Sequence, residues 1–225
     1  MWIGQKASNV VPSVLNRALT IETVTPAGIP TEELYSAAFG GQLTQAPGRS
    51  LGSSLVAPVD GGGASTLDGC EPFPNPNDLV GRIVLVNRGN CTFVAKASNA
   101  QAVGAAALLI ANNDVGPLSP SGADPSITIP VFGITQALGS TLRAAAGNGN
   151  VYVEIGATPN VRAGTTAGSP RLYAPRIFAS GSSVSHWDVS ATPSLLMEPF
   201  ITPNITSSVK NPEDLSRGLL VDIGW

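Results

Sequence analysis

Short runs of apolar residues, separated by glycine, asparagine and proline, dominate the middle of this 225-residue chain. Their lengths fit strands better than helices, and they predict four buried strands, at residues 82–87, 105–111, 129–134 and 150–155. Between them, apolar residues recur at helical spacing, which predicts two helices, at 92–103 and 136–146. The order strand–helix–strand, strand–helix–strand indicates a mixed unit whose apolar face is closed by earlier strands near residues 20–58.

The two ends of the chain have weaker patterns. Residues 10–17 predict a short helix, and the β-branched alternation at 20–24 predicts a strand. Residues 159–180 are rich in Gly, Pro and Thr and indicate a linker or loop. Near the C-terminus, Asn211-Pro-Glu-Asp predicts the start of a helix, with Asn as the cap and Pro at the first helical position.

Composition narrows the class of protein. A hydrophobic share of 43% supports a packed core, while 12% charged residues, 25 Gly and 19 Pro indicate a loop-rich fold. A net charge of −3 with scattered basic residues argues against nucleic acid. The longest apolar run, 105–111, is too short to cross a bilayer, and no signal peptide is visible after Met1.

The chain has two cysteines, Cys70 and Cys91. Two free thiols are the expectation for a cytosolic protein, whereas one bridge is the expectation for an oxidising compartment. Such a bridge would close a loop of about 20 residues and stabilise the fold by about 3 kcal/mol. We favour the bridge because both cysteines lie in loop-like stretches next to a predicted strand.

The central part of the sequence resembles the protease-associated (PA) domain. The matching stretches are DGCEPF at 68–73, LVGRIVLVNRGNCTFVAKASNAQAVGAAALLIANN at 79–113 and ITIPVFGIT at 127–135. The resemblance extends over residues 20–158 and implies a PA-type open β-barrel or sheet with flanking helices. It also strengthens the expectation of a disulfide.

The resemblance implies a non-catalytic module that serves as a lid, a substrate-recognition element or a protein-interaction element beside peptidases. No nucleophile–base pair is evident in residues 20–158, and we predict no catalytic residue there. Arg88 and Lys96 are candidates to anchor a protein or peptide ligand, although a charge at a strand end is often solvated or locally paired. The oligomeric state is left open.

A second resemblance lies near the C-terminus. GSSVSHWDVSATPSLLMEP at 181–199 resembles the leishmanolysin-like metzincin peptidases where they hold the third zinc-binding histidine and the methionine turn. The resemblance implies His186 as a partial or vestigial zinc ligand and Met197 as the turn residue. A catalytic zinc needs three protein ligands and a general base, and the only histidine of the chain is His186.

Two hypotheses about function follow. In the first, the chain is a non-catalytic PA-domain protein, with no cofactor and no catalysis expected from this chain alone. In the second, it is the C-terminal fragment of a secreted zinc metalloendopeptidase. Its His-Glu-x-x-His helix would then lie upstream of residue 1, and zinc is expected only if that helix exists. In both, the cysteine pair and the family indicate an extracellular or cell-surface location.

The sequence and its two resemblances therefore indicate an α+β fold in three segments. Residues 1–19 form an N-terminal segment, 20–158 form the PA domain, and 159–225 form a small loop-and-helix segment that resembles a metzincin.

Overall fold

The computed structural model describes residues 4–43, 48–175, 177–200, 205 and 207–225. Its helices are α1 (Gln5–Val14), α2 (Phe93–Ala102), α3 (Gln136–Asn148) and α4 (Ser216–Asp222), with a short 3-10 helix at Pro76–Leu79. Its strands are β1 (Arg17–Thr25), β2 (Glu32–Glu33), β3 (Tyr35–Ser36), β4 (Gly48–Val56), β5 (Ile83–Asn87), β6 (Ala107–Ala111), β7 (Val131–Ile134), β8 (Val151–Arg162), β9 (Thr165–Thr166) and β10 (Ser169–Pro170).

Eight strands form one mixed sheet in the order β2-β1-β8-β4-β5-β6-β7-β3. The pairs β4–β5, β5–β6 and β6–β7 are parallel, and β3 joins β7 in the antiparallel sense. The sheet forms a nearly closed barrel, which confirms the predicted PA-type α+β fold. Two neighbouring parallel strands need a crossover connection, and α2 provides the one from β5 to β6. α3 follows β7 and precedes β8.

A threonine side chain caps each of the two central helices. The side chain of Thr92 accepts a hydrogen bond from the Ala95 amide at 3.1 Å, and Thr135 accepts one from Leu138 at 3.1 Å. Each cap occupies one of the amides that a helix start leaves without a partner. The predicted helices at 92–103 and 136–146 therefore agree with α2 and α3 within two residues at either end.

Other elements differ from the sequence predictions. The first helix is α1, which ends at Val14, three residues before the end predicted for it. The last helix begins at Ser216, because residues 211–213 form a turn and the Asp214 carboxylate accepts the Ser216 amide at 2.6 Å. The prediction that Asn211 caps this helix is therefore wrong. β4 lies in the range near residues 20–58 where earlier strands were expected, but the apolar pattern did not predict its bounds or its parallel pairing with β5.

The chain divides into two compact units. The larger comprises Leu19–Thr44 and Gly48–Gly156, and the described residues of Met1–Ala18 and Ala157–Trp225 belong to the smaller. In the larger unit, a buried core that includes Val84, Ala97 and Leu108 lies between β5, β6 and α2. In the smaller unit, α1 packs with α4 around Trp187 and Leu215. The predicted boundaries at 19/20 and 158/159 stay predictions.

Candidate functional site

A pocket lies at the carboxyl ends of the central parallel strands. In the sheet, Asn87 of β5 is paired with Ala111 of β6, and Ala111 with Ile134 of β7, so the three strands end at one edge. Ligands of parallel sheets commonly bind at this edge. A cavity of about 460 Å³ opens there, which we call the strand-end pocket; its polar lining residues are Asn87, Arg88, Asn112, Asn113, Gln136, Ser140 and Arg143.

Arg88 enters this pocket immediately after β5. Its backbone amide donates to the Ala111 carbonyl at 2.9 Å, and its guanidinium donates from Nη1 to Oδ1 of Asn112 at 3.0 Å. Asn112 is itself fixed, because its Nδ2 donates to the Gly116 carbonyl at 3.1 Å. Arg88 is nevertheless exposed, so its charge faces solvent. The hydrogen bond to the buried side chain of Asn112 fixes the direction of its guanidinium.

Arg143 reaches the pocket from α3. Its Nη2 donates to Oδ1 of Asn87 at 2.9 Å, whereas its Nη1 is buried and has no hydrogen-bond partner among the described residues. Burial lowers the pKa of Arg143. A guanidinium that is removed from water and only partly hydrogen-bonded gains stability from an incoming carbonyl or carboxylate group.

The pocket therefore combines two guanidinium groups with carboxamides, and no carboxylate is among its lining residues. Ser140 is the only hydroxyl there, and no histidine lines the pocket to act as its base. This inventory suits recognition of carbonyl or carboxylate groups.

A second cavity, of about 490 Å³, lies in the same unit between the end of β4 and the end of α3. Arg143 lines both cavities. Asp78 and several apolar side chains, including Leu79 and Phe73, also line the second cavity. We place the candidate site at the strand-end pocket because it contains Arg88 and its lining is free of acidic groups.

Lys96, the other residue predicted to bind a ligand, lies inside the larger unit. Its side chain is 0% exposed, and Nζ donates to the carbonyls of Asp68 at 2.6 Å and Gly89 at 2.7 Å. Burial lowers the pKa of Lys96, and the nearby carboxylates only partly offset that effect. Lys96 thus ties together the loops before and after β5, and its binding role stays a prediction.

The predicted disulfide is confirmed. Cys70 and Cys91 form a bridge that joins the same two loops as Lys96. Arg88 lies three residues before Cys91, so the bridge and Lys96 together hold the loop that carries Arg88.

The residues of the second resemblance lie in the smaller unit. His186 Nδ1 is 2.9 Å from Oγ of Ser185, and the amide of the neighbouring Trp187 donates to the Met197 carbonyl at 2.7 Å. The backbone therefore brings the predicted methionine turn next to the predicted ligand. Within the described ranges, however, His186 is in no group of three or more side chains able to hold a metal. Its role in binding zinc stays a prediction.

Asn87, Asn112 and Arg143 were not predicted as members of the pocket. Two signals were available. Asn87 and Asn112 follow the apolar runs of two parallel strands, whose carboxyl ends meet at one edge. Gln136, Ser140 and Arg143 are spaced four and three residues apart, which places them on one face of α3.

Comparison with known families supports the first resemblance. Residues 53–142 match the family model described as PA domain, so the chain contains a PA domain. The match ends before residue 181, and these comparisons do not support the metzincin resemblance of the C-terminal segment. No helix among the described residues has the length and apolar character of a membrane span.

Curated relatives are peptidases or peptidase-like proteins. The chain is 42% identical over 89 residues to signal peptide peptidase-like 2 of Arabidopsis thaliana, covering 38% of this chain and 16% of the relative. It is 35% identical over 114 residues to probable leucine aminopeptidase 2 of Aspergillus fumigatus, covering 45% and 23% respectively. Alignments with curated relatives thus span a quarter or less of those relatives' lengths.

A solved structure with partial similarity is BSAP, a zinc aminopeptidase from Bacillus subtilis. The similarity covers 70% of this chain and 38% of that chain, at 23% sequence identity and a TM-score of 0.43.

Proposed function

We propose that this chain is a non-catalytic recognition module associated with a peptidase, and that its strand-end pocket binds an extended peptide. The PA domain at 53–142 and the peptidase relatives support the association with peptidases. The observation that carries the binding proposal is the pairing of Arg88 with Asn112 and of Arg143 with Asn87 around one cavity.

A peptide suits this pocket chemically. Backbone carbonyls and a terminal or side-chain carboxylate are acceptors, and the two arginines offer donors in a fixed fork. The pocket's carboxamides offer both donors and acceptors, which match the alternating amides and carbonyls of an extended chain. Arg143 contributes a buried Nη1 that has no hydrogen-bond partner among the described residues, so it can donate to a peptide carbonyl without breaking a bond to any of them.

The binding test starts from an array of short peptides probed with the purified chain. The best peptide is then measured by fluorescence anisotropy against the wild type, Arg88→Ala and Arg217→Ala. Arg217 is exposed, belongs to the smaller unit and is not among the residues that line the pocket, so its substitution makes the same charge change without altering that lining.

The expected result is a loss of about 10- to 100-fold in affinity for Arg88→Ala, the magnitude of one charged hydrogen bond. Arg217→Ala is expected to bind as the wild type does. Equal affinities for all three proteins would refute the assignment of the pocket.

The proposal also holds that the purified chain does not cut peptides. A fluorogenic peptide pool should stay intact with and without added zinc. Cleavage that a chelator abolishes would instead favour the alternative, a zinc metalloendopeptidase fragment to which His186 contributes a ligand. The disulfide is consistent with our further proposal that the protein works outside the cytosol.

A further inference from the structure

Three acidic side chains meet beside the disulfide, outside the strand-end pocket. One carboxylate oxygen from each of Asp60, Asp68 and Glu71 lies within 4.8 Å of the other two; we call this group the acidic cluster. Asp60 is 5% exposed and Asp68 is 1% exposed. Burial of carboxylates at such short separations is unfavourable unless cations or donors compensate it.

The hydrogen bonds of the described residues satisfy only part of the acidic cluster. The amide of Cys70 donates to Oδ2 of Asp60 at 3.1 Å and to Oδ1 of Asp68 at 3.0 Å. Asn90 Nδ2 donates to the second oxygen of Asp68. Oδ1 of Asp60 and Oε2 of Glu71, in contrast, are buried and accept no hydrogen bond from the described residues.

The nearest ammonium group does not supply the missing partner. Lys96 has three donor hydrogens, and Nζ has three acceptors: the Asp68 carbonyl at 2.6 Å, the Gly89 carbonyl at 2.7 Å and Cys70 Sγ at 3.2 Å. All three hydrogens are therefore engaged elsewhere. The positive charge of Lys96 reduces the repulsion among the carboxylates, but its ammonium donates no hydrogen bond to Oδ1 of Asp60 or Oε2 of Glu71.

We propose that Asp60, Asp68 and Glu71 bind a calcium ion. An ion with Ca–O distances of about 2.3–2.6 Å bridges oxygens up to about 5 Å apart, which fits the separation of these three. Three carboxylates and the Lys96 ammonium leave a net charge of −2, which one divalent cation neutralises. The ligands are all hard oxygens, which favour calcium or magnesium over zinc.

The surrounding loop is shaped around the cluster. Gly63 has a φ of +81°, and a Cβ placed on it would lie 2.3 Å from Oε1 of Glu71. A side chain at position 63 would therefore displace this carboxylate, so the loop leaves room for Glu71 because this residue is glycine. Irregular loops with backbone carbonyls and solvent commonly complete the six to eight ligands of calcium, whereas magnesium demands a stricter octahedron.

A bound ion would fix the loop at 60–63 to the loop that contains the disulfide. This role is separate from peptide recognition at the strand-end pocket, and the two proposals can succeed or fail independently.

The test uses the whole chain, treated with chelator and then titrated with calcium chloride or magnesium chloride. Isothermal titration calorimetry gives stoichiometry and affinity, and thermal unfolding gives the shift in Tm. Glu71→Gln and Asp60→Asn remove one ligand charge each with little change in size. Asp78→Asn is the matched control, because Asp78 is exposed in the same unit and outside the cluster.

The expected result is one calcium per chain at concentrations of about 1 mM or below, with a rise in Tm. Asp78→Asn should match the wild type, and Glu71→Gln should weaken binding by about 10- to 100-fold or more. Glu71 accepts no hydrogen bond from the described residues at Oε2, so this variant is expected to fold. No saturable calcium binding, equal binding by Glu71→Gln, or tighter binding of magnesium than calcium would each overturn the proposal.

Discussion

Replacing Lys96 with methionine should strongly destabilise the larger unit. The substitution keeps most of the apolar stem and removes an ammonium that is 0% exposed. Two backbone carbonyls, of Asp68 and Gly89, lose donors that lie 2.6 and 2.7 Å from them. The acidic cluster also loses its nearest positive charge.

The magnitude follows from these contacts. Hydrogen bonds to a charged group contribute about 1.5–3 kcal/mol each, so two of them give about 3–6 kcal/mol. Removal of one partner from a buried charge network costs about 3–5 kcal/mol in other proteins. Because the methionine side chain retains apolar packing, we expect a loss of about 3–5 kcal/mol in the free energy of unfolding.

Urea denaturation followed by circular dichroism measures this loss, since all three tryptophans of the chain lie outside the larger unit; chelator is present to exclude metal effects. Lys210→Met is the control, since Lys210 is exposed in the smaller unit and loses the same charge. A loss below about 1 kcal/mol for Lys96→Met, with an unchanged m-value, would show that the ammonium does not hold these loops together.

Three further changes have defined outcomes. Gly139→Ala should lower the free energy of unfolding by about 1–3 kcal/mol in urea denaturation, because the new Cβ would lie 2.3 Å from the Cβ of Ala111. Gly147→Ala on the same helix is the control: its Cβ meets no described atom within 4 Å, and the free energy of unfolding should rise by up to about 1 kcal/mol. Burial raises the pKa of Glu198 to about 7 from 4.5, so the folded state retains a proton that the unfolded chain releases. The free energy of unfolding should therefore fall as pH rises from about 4.5 through about 7, and Glu198→Gln should abolish that fall in a pH series. Reduction of the disulfide, which spans 21 residues, should lower the free energy of unfolding by about 3 kcal/mol; an unchanged urea midpoint would contradict this.

The parallel core and its two helices were predictable because their signals are local. The apolar runs that became β5, β6 and β7 are continuous, and Thr92 and Thr135 cap the helices from one residue away. The disulfide was favoured because both cysteines lie in loop-like stretches beside a strand, and the resemblance to the PA domain strengthened that expectation.

The remaining features depend on residues distant in the chain. α1 packs with α4, at opposite ends of the sequence, and the amides of Lys6 and Ala7 both donate to Asp222 at 2.9 Å. No periodicity within either segment encodes that pairing. Lys96 is a second example: the sequence predicted a ligand-binding role for it, and its burial depends on the distant carbonyls of Asp68 and Gly89, which accept hydrogen bonds from its ammonium.

The central claim is that the strand-end pocket is the peptide-binding surface, and an NMR titration tests it most directly. The array-selected peptide is added to the uniformly ¹⁵N-labelled chain, and amide shifts are followed by residue. We predict that shifts concentrate at residues 87–88, 112–113 and 136–144, and that Arg88→Ala needs about 10- to 100-fold more peptide to reach the same shifts. Shifts confined to the cavity at the end of β4, or to the smaller unit, would contradict it.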